Sequence, residues 1–248
     1  MMDEPSVLAV FAAALVTALA TGLGAAPFLF VVDLARSWVG VANALAAGFM
    51  IAASVLLFYE GARESFLRVS GGALVGVLFV ALAARRLAGR KGVHFEALAG
   101  ADARRALLLV GVMTVHSFAE GIGVGVSFAG GESLGLVIAI AIAIHNIPEG
   151  LAISLVLVPR GVGVSRAAGW SVFSSLPQPL VAVPAFLFVA LFDGLVPLGL
   201  GFAGGAMLWM VAAQVVPDAL HTSSRRSVAL ALVVSTGAML ALEALLLA

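Results

Sequence analysis

Apolar runs of bilayer-crossing length follow one another along almost the whole chain. About 20 apolar residues, wound as a helix, cover the ~30 Å hydrocarbon core of a membrane. Eight runs fit that description: Val7 to Val32, Val41 to Tyr59, Val69 to Ala84, Ala106 to Phe128, Leu134 to Val158, Ala167 to Phe192, Leu195 to Val216 and Val228 to Leu247. The third is short and can be read as beginning nearer Phe66. Hydrocarbon offers the backbone no water, so a crossing segment must be a helix or a strand of a closed barrel, and no ~10-residue alternating pattern is present. The expected fold is all-α: a polytopic membrane protein of eight transmembrane helices, forming a single transmembrane domain over residues 1–248. Composition agrees, with 62% hydrophobic and 10% charged residues, where soluble domains carry about 25% charged. The 28 glycines suit helices that pack closely in lipid.

Charge placement gives a sidedness. Short cytoplasmic loops collect Lys and Arg. Of the 13 such residues, 11 fall after runs one, three, five and seven: Arg36; Arg85, Arg86, Arg90, Lys91, Arg104 and Arg105; Arg160 and Arg166; Arg225 and Arg226. Only Arg63 and Arg68 lie on the other side. Both termini are therefore expected on the non-cytoplasmic side of a plasma (inner) membrane. The N-terminal MMDEP begins with acids rather than the positive region of a signal peptide, so the first run reads as a retained span. A net charge of zero gives no reason to expect nucleic acid.

The chain has no cysteine, which removes disulfides, thiolate metal sites and thiol nucleophiles together. His, Asp, Glu and Met remain as metal-binding side chains. Runs four and five each contain one phrase of the same form, His116-Ser117-Phe118-Ala119-Glu120-Gly121 and His145-Asn146-Ile147-Pro148-Glu149-Gly150. Each puts His at i and Glu at i+4. Four residues advance a helix ~6 Å and leave both side chains on one face, within reach of one ion at a Zn–N distance of about 2.0–2.1 Å. A charged side chain in mid-membrane costs ~2.5–3.5 kcal/mol on insertion scales, so each Glu needs a partner. For one pair alone, an interhelical His–Glu hydrogen bond or a proton relay explains it as well; the duplication favours metal. Pro148 cannot donate to the carbonyl of Ile144 and should bend the helix beside the site. Two ionised Glu and one divalent ion sum to zero charge, which predicts one metal at a time. Binding should weaken as pH falls, because His116 and His145 must be deprotonated to ligate.

These residues resemble the Zrt/Irt-like (ZIP) divalent metal transporters of prokaryotic type. His145 to Gly150, HNIPEG, matches that family's signature, and His116 to Gly121, HSFAEG, is similar to its partner phrase. The AAGFMIAAS of run two and the eight-run layout extend the likeness over the whole chain. The resemblance implies metal passage to the cytosol, an inverted-repeat bundle, and ligands from spans four and five with help from two, six and seven. A homodimer is a further implication. Met50 matches a residue able to offer a thioether, and Ser117 and Asn146 match the neighbours of the ligating histidines. Three departures stand out: Gln178, within Ser174-Ser175-Leu176-Pro177-Gln178-Pro179, where many members have a bridging Glu; Gln214, where a Glu is common; and Ser117 and Ala119, in place of Asn and Pro. Each removes a carboxylate, an amide oxygen or a kink, and with them the case for a two-metal site.

The expected ligands are thus His116, Glu120, His145 and Glu149, with Met50, Ser117, Asn146, Gln178, Gln214 and Asp218 as candidates for metal contact or pore lining. Met50 reads equally well as core filler. Gln178, between two prolines, reads as lining a cavity at a helix break in preference to serving as a polar link between helices. Asp218, near His221, reads better as a solvated helix end than as an exit site. Glu60 and Glu64 lie beside Arg63 and Arg68 in what reads as a mixed solvated loop, and His94 as a lone loop histidine. Asp33, Asp193 and Glu243 read as markers of membrane edges. The expected substrate is Zn²⁺, with Fe²⁺, Mn²⁺ and Cd²⁺ open because an N/O site accepts several, and no organic cofactor is expected. The alternative is an intramembrane metal-dependent enzyme, which would want both histidines on one helix as HExxH; that sequence does not occur. A channel or organic-solute carrier would not need the His/Glu repeat.

Overall fold

The computed structural model describes residues 5–31, 36–88 and 100–247. The loop readings at Asp33, Arg90, Lys91 and His94 lie outside them, as do the side chains of Arg36, Arg104, Arg105 and Asp193. Among the described residues there is no strand. The helices are α1 (Val7–Leu23), α2 (Arg36–Ala88), α3 (Gly100–Ala129), α4 (Glu132–Leu157), α5 (Val164–Ser175), α6 (Pro177–Leu191), α7 (Val196–Met210), α8 (Val216–Thr222) and α9 (Arg225–Leu247). Six described helical stretches are long and apolar enough to cross a membrane, and α1 is a shorter apolar helix. Their outward faces carry Leu67, Phe66, Leu180, Leu191, Val233 and Leu245, all exposed, while His116, Glu120, His145, Glu149 and Gln178 are buried. Apolar outside and polar inside is the arrangement lipid requires. The protein is an all-α polytopic membrane protein.

Several run boundaries move for local reasons. The first helix stops at Leu23 rather than Val32, because Gly24 and Pro27 lead into a 3-10 turn at Ala26–Leu29. Helix α2 is nominally 53 residues, but Ser65 leaves helical geometry at φ −158°, ψ 105°. Its hydroxyl accepts from the Arg68 N–H at 3.4 Å, as an N-cap does for a helix starting just after it. A β-carbon on Gly61 would sit 2.8 Å from Val69 Cγ2, whereas eight residues of straight helix separate two positions by ~12 Å. The chain therefore turns back at Ser65, and residues 36–64 and 66–88 run in opposite directions. Run six breaks at Leu176, between α5 and α6, where Pro177 begins the second half. Run seven passes through a π-helical turn, Val211–Val215, that holds Gln214. Helix α4 stays continuous through Pro148.

Packing is set by backbones in contact. Residues 66–88 run parallel to α7, with β-carbon positions on Gly76 and Gly205 blocked by the main chain at Phe202 and Ala73 respectively. Helices α1 and α4 are likewise parallel: Thr17 meets Asn146, and Thr21 meets Gly150 four residues on in both. Close approach through small residues gives van der Waals contact where lipid supplies no hydrophobic drive. Gly205→Val should force α7 off residues 66–88 and cost at least about 1–3 kcal/mol. Thermal unfolding of the purified variant in detergent should show a lowered transition; an unchanged one would contradict the backbone contact.

Candidate metal centre

The two His/Glu phrases sit on α3 and α4, which pack side by side. Because the helices run in opposite directions here, the i, i+4 spacing pairs residues diagonally: His116 lies level with Glu149, and Glu120 with His145. His116 Nε2 is 3.2 Å from Glu120 Oε1 on its own helix and 3.3 Å from Glu149 Oε1 across the gap. His145 Nε2 is in contact with Glu120 Oε1. One ligating atom from each of the four residues lies within 4.8 Å of every other, and all four side chains are buried.

The distances bear on what can occupy the centre. Ligand atoms around a tetrahedral zinc with bonds of about 2.0–2.1 Å stand about 3.3 Å apart. Both His116 separations match that edge. They fall within ion-pair range, yet His116 Nε2 and Glu149 Oε1 have no hydrogen-bond partner among the described residues. His116 Nε2 thus stands at ligand spacing from both carboxylates without a hydrogen bond to either. The His145–Glu120 contact is a hydrogen bond and would have to open by several tenths of an ångström to admit an ion.

A second layer of polar groups backs the four. Gln178, at the start of α6, is completely buried and donates from Nε2 to Glu120 Oε2 at 2.6 Å. Asn146 donates to the Thr17 carbonyl at 2.8 Å and to Gln178 Oε1 at 3.2 Å, and the Thr17 hydroxyl meets the same Oε1. The glycine that ends each phrase makes this possible. A β-carbon on Gly121 would lie 2.7 Å from the Gln178 carbonyl oxygen, and one on Gly150 would strike the Thr21 carbonyl. Gly121 thus admits α6, and Gly150 admits α1.

Met50 is buried in α2, its carbonyl accepting from Ser54. Ser117 is buried with no hydrogen-bond partner for its hydroxyl among the described residues, and the same holds for Asn146 Oδ1. Gln214 is half-buried, while Asp218 and His221 are exposed. Glu60 pairs with Arg63 at 3.1 Å. Glu243, read as a membrane-edge marker, is buried near the end of α9. Thr17 was not singled out from the sequence; a threonine in an apolar run carries no spacing signal.

Residues 91–242 match the family model described as ZIP zinc transporter. The chain is 50% identical over 246 residues to a putative zinc transporter of Arabidopsis thaliana, covering 98% of this chain and 40% of that protein. It is 35% identical over 224 residues to the zinc transporter GufA of Myxococcus xanthus, covering 83% of this chain and 86% of that one. Against human zinc transporter ZIP11 it is 32% identical over 133 residues, 48% of this chain and 37% of that one. The chain thus spans about two fifths of its Arabidopsis relative and most of GufA. With the family match over more than half its length and GufA aligned nearly end to end, the chain belongs to the ZIP zinc transporter family.

Proposed function

We propose that this chain carries divalent transition metal, zinc first, across the membrane into the cytosol, one ion at a time, with His116, Glu120, His145 and Glu149 as ligands. The observation that carries this is four buried side chains from two antiparallel helices, one ligating atom of each within 4.8 Å of every other. Relatives described as zinc transporters support the choice of ion. Two carboxylates against one divalent charge leave the occupied site neutral, and Gln178 adds no further charge; a second ion would leave +2 in a low-dielectric interior. Fe²⁺, Mn²⁺ and Cd²⁺ suit the same N/O donors.

The reversal at Ser65 supports eight crossings, which leave both termini on one side, and the Lys and Arg of the intervening loops make that side the non-cytoplasmic one. The ion then moves by alternating access, with the site exposed to each side in turn as helices rock around it. The metalloenzyme alternative loses its support, since the family consists of transporters and the two histidines come from different helices.

Three outcomes follow for the protein in detergent and in liposomes. His145→Ala and Glu149→Ala should each lower zinc uptake into proteoliposomes by at least about 100-fold, since even supporting residues around a zinc site are worth 10–100-fold; equal uptake by native and variants would sink the assignment. Zinc titration should give one ion per chain, and two ions of similar affinity would overturn single occupancy. Asp218→Asn, at an exposed residue outside the converging four, should leave that affinity unchanged.

A further inference from the structure

The support behind Glu120 is a chain of hydrogen bonds whose polarity can be read from one end. Oxygen and nitrogen of an Asn or Gln amide are alike in outline, and their partners decide which is which. One amide atom of Asn146 lies 2.8 Å from the main-chain oxygen of Thr17. A carbonyl only accepts, so that atom is Nδ2. Its second hydrogen points at Gln178, 3.2 Å away, and Gln178 must present its oxygen there. The Gln178 nitrogen is thereby turned to Glu120 Oε2, at 2.6 Å. The Thr17 hydroxyl meets the same Gln178 oxygen; the Ala14 carbonyl, at 2.7 Å, competes for its proton. Thr17, Asn146, Gln178 and Glu120 are each completely buried, so a mis-set amide would leave donors and acceptors facing like groups with no water to relieve them.

We propose that Gln178 is a positioning residue rather than a metal ligand: Thr17 and Asn146 fix its amide so that its N–H holds Glu120 Oε2 and leaves Oε1 for the ion. This rests on reading the His/Glu cluster as the metal site. The Gln178 oxygen accepts from Asn146 and lies against the Thr17 hydroxyl, whose one proton it shares with the Ala14 carbonyl, and its nitrogen cannot ligate. Glu120 then offers the ion one oxygen, the atom already nearest both histidines. A carboxylate at position 178 would keep the bonds from Thr17 and Asn146 but set two negative groups against each other at Glu120.

The test is a double-mutant cycle on zinc affinity, with purified full chain in detergent and a chelating dye as competitor, for native, Thr17→Val, Gln178→Ala and the double variant, with Thr17→Ser as rescue. Gln178→Ala should weaken zinc binding by roughly 10- to 100-fold, the worth of a hydrogen bond to a charged group. Thr17→Val, nearly isosteric, should weaken it several-fold, Thr17→Ser should restore it, and the double variant should be no weaker than Gln178→Ala alone. Native affinity in Thr17→Val, an equal loss in Thr17→Ser, or additive losses in the double variant would each overturn the proposal. Zinc X-ray absorption separates the layers. Loss of one O/N neighbour in Gln178→Ala would make it a ligand after all, while a native spectrum without imidazole scattering would sink the metal site itself.

Discussion

Two carboxylates and two imidazoles are held where no water reaches them, and the rest of the structure answers that demand. A carboxylate in mid-membrane is tolerable only when its negative charge and lone pairs are met by something fixed. Glu120 is met on one oxygen by His145 and on the other by Gln178. Glu149 approaches His116 without forming a hydrogen bond from Oε1. The four side chains by themselves form a half-satisfied network; on the proposed reading a divalent cation would complete it, and incomplete satisfaction of this kind would suit a site that binds an ion and releases it.

The antiparallel crossing of α3 and α4 turns a sequence repeat into a compact donor set. Had the helices run parallel, the histidines would have faced each other at one level and the acids at another, about one turn apart. Reversal puts one His and one Glu at each level, so each carboxylate has an imidazole beside it across the gap.

Much of this is legible in the amino-acid sequence, and what is not has physical causes. Apolar length locates the helices, and the doubled His-x-x-x-Glu spacing locates the four converging residues. The two prolines around Gln178 announce a broken helix, and the break lies at Leu176. The shortness of run three is explained by the turn at Ser65, which lets the following helix start at residue 66. The π-helical turn at Gln214 has no signature, because one extra residue in a helix leaves composition unchanged. Gln178 could be singled out as polar in lipid, but not as a donor to Glu120, and Thr17 not at all. Both depend on how helices meet, which hydropathy does not encode.

The final glycine of each phrase separates framework from tuning. Gly121 fixes how near the backbone of α6 comes, and Gly150 does the same for α1. The side chains carried by those two helices are then presented at set distances, whatever their chemistry. On the proposed reading, an amide, a hydroxyl or an acid exchanged at such a position alters how Glu120 is held and the electrostatic surroundings of an ion, while the backbone cradle keeps its shape. A scaffold built this way would be retuned from one cation to another by single replacements outside the four converging residues.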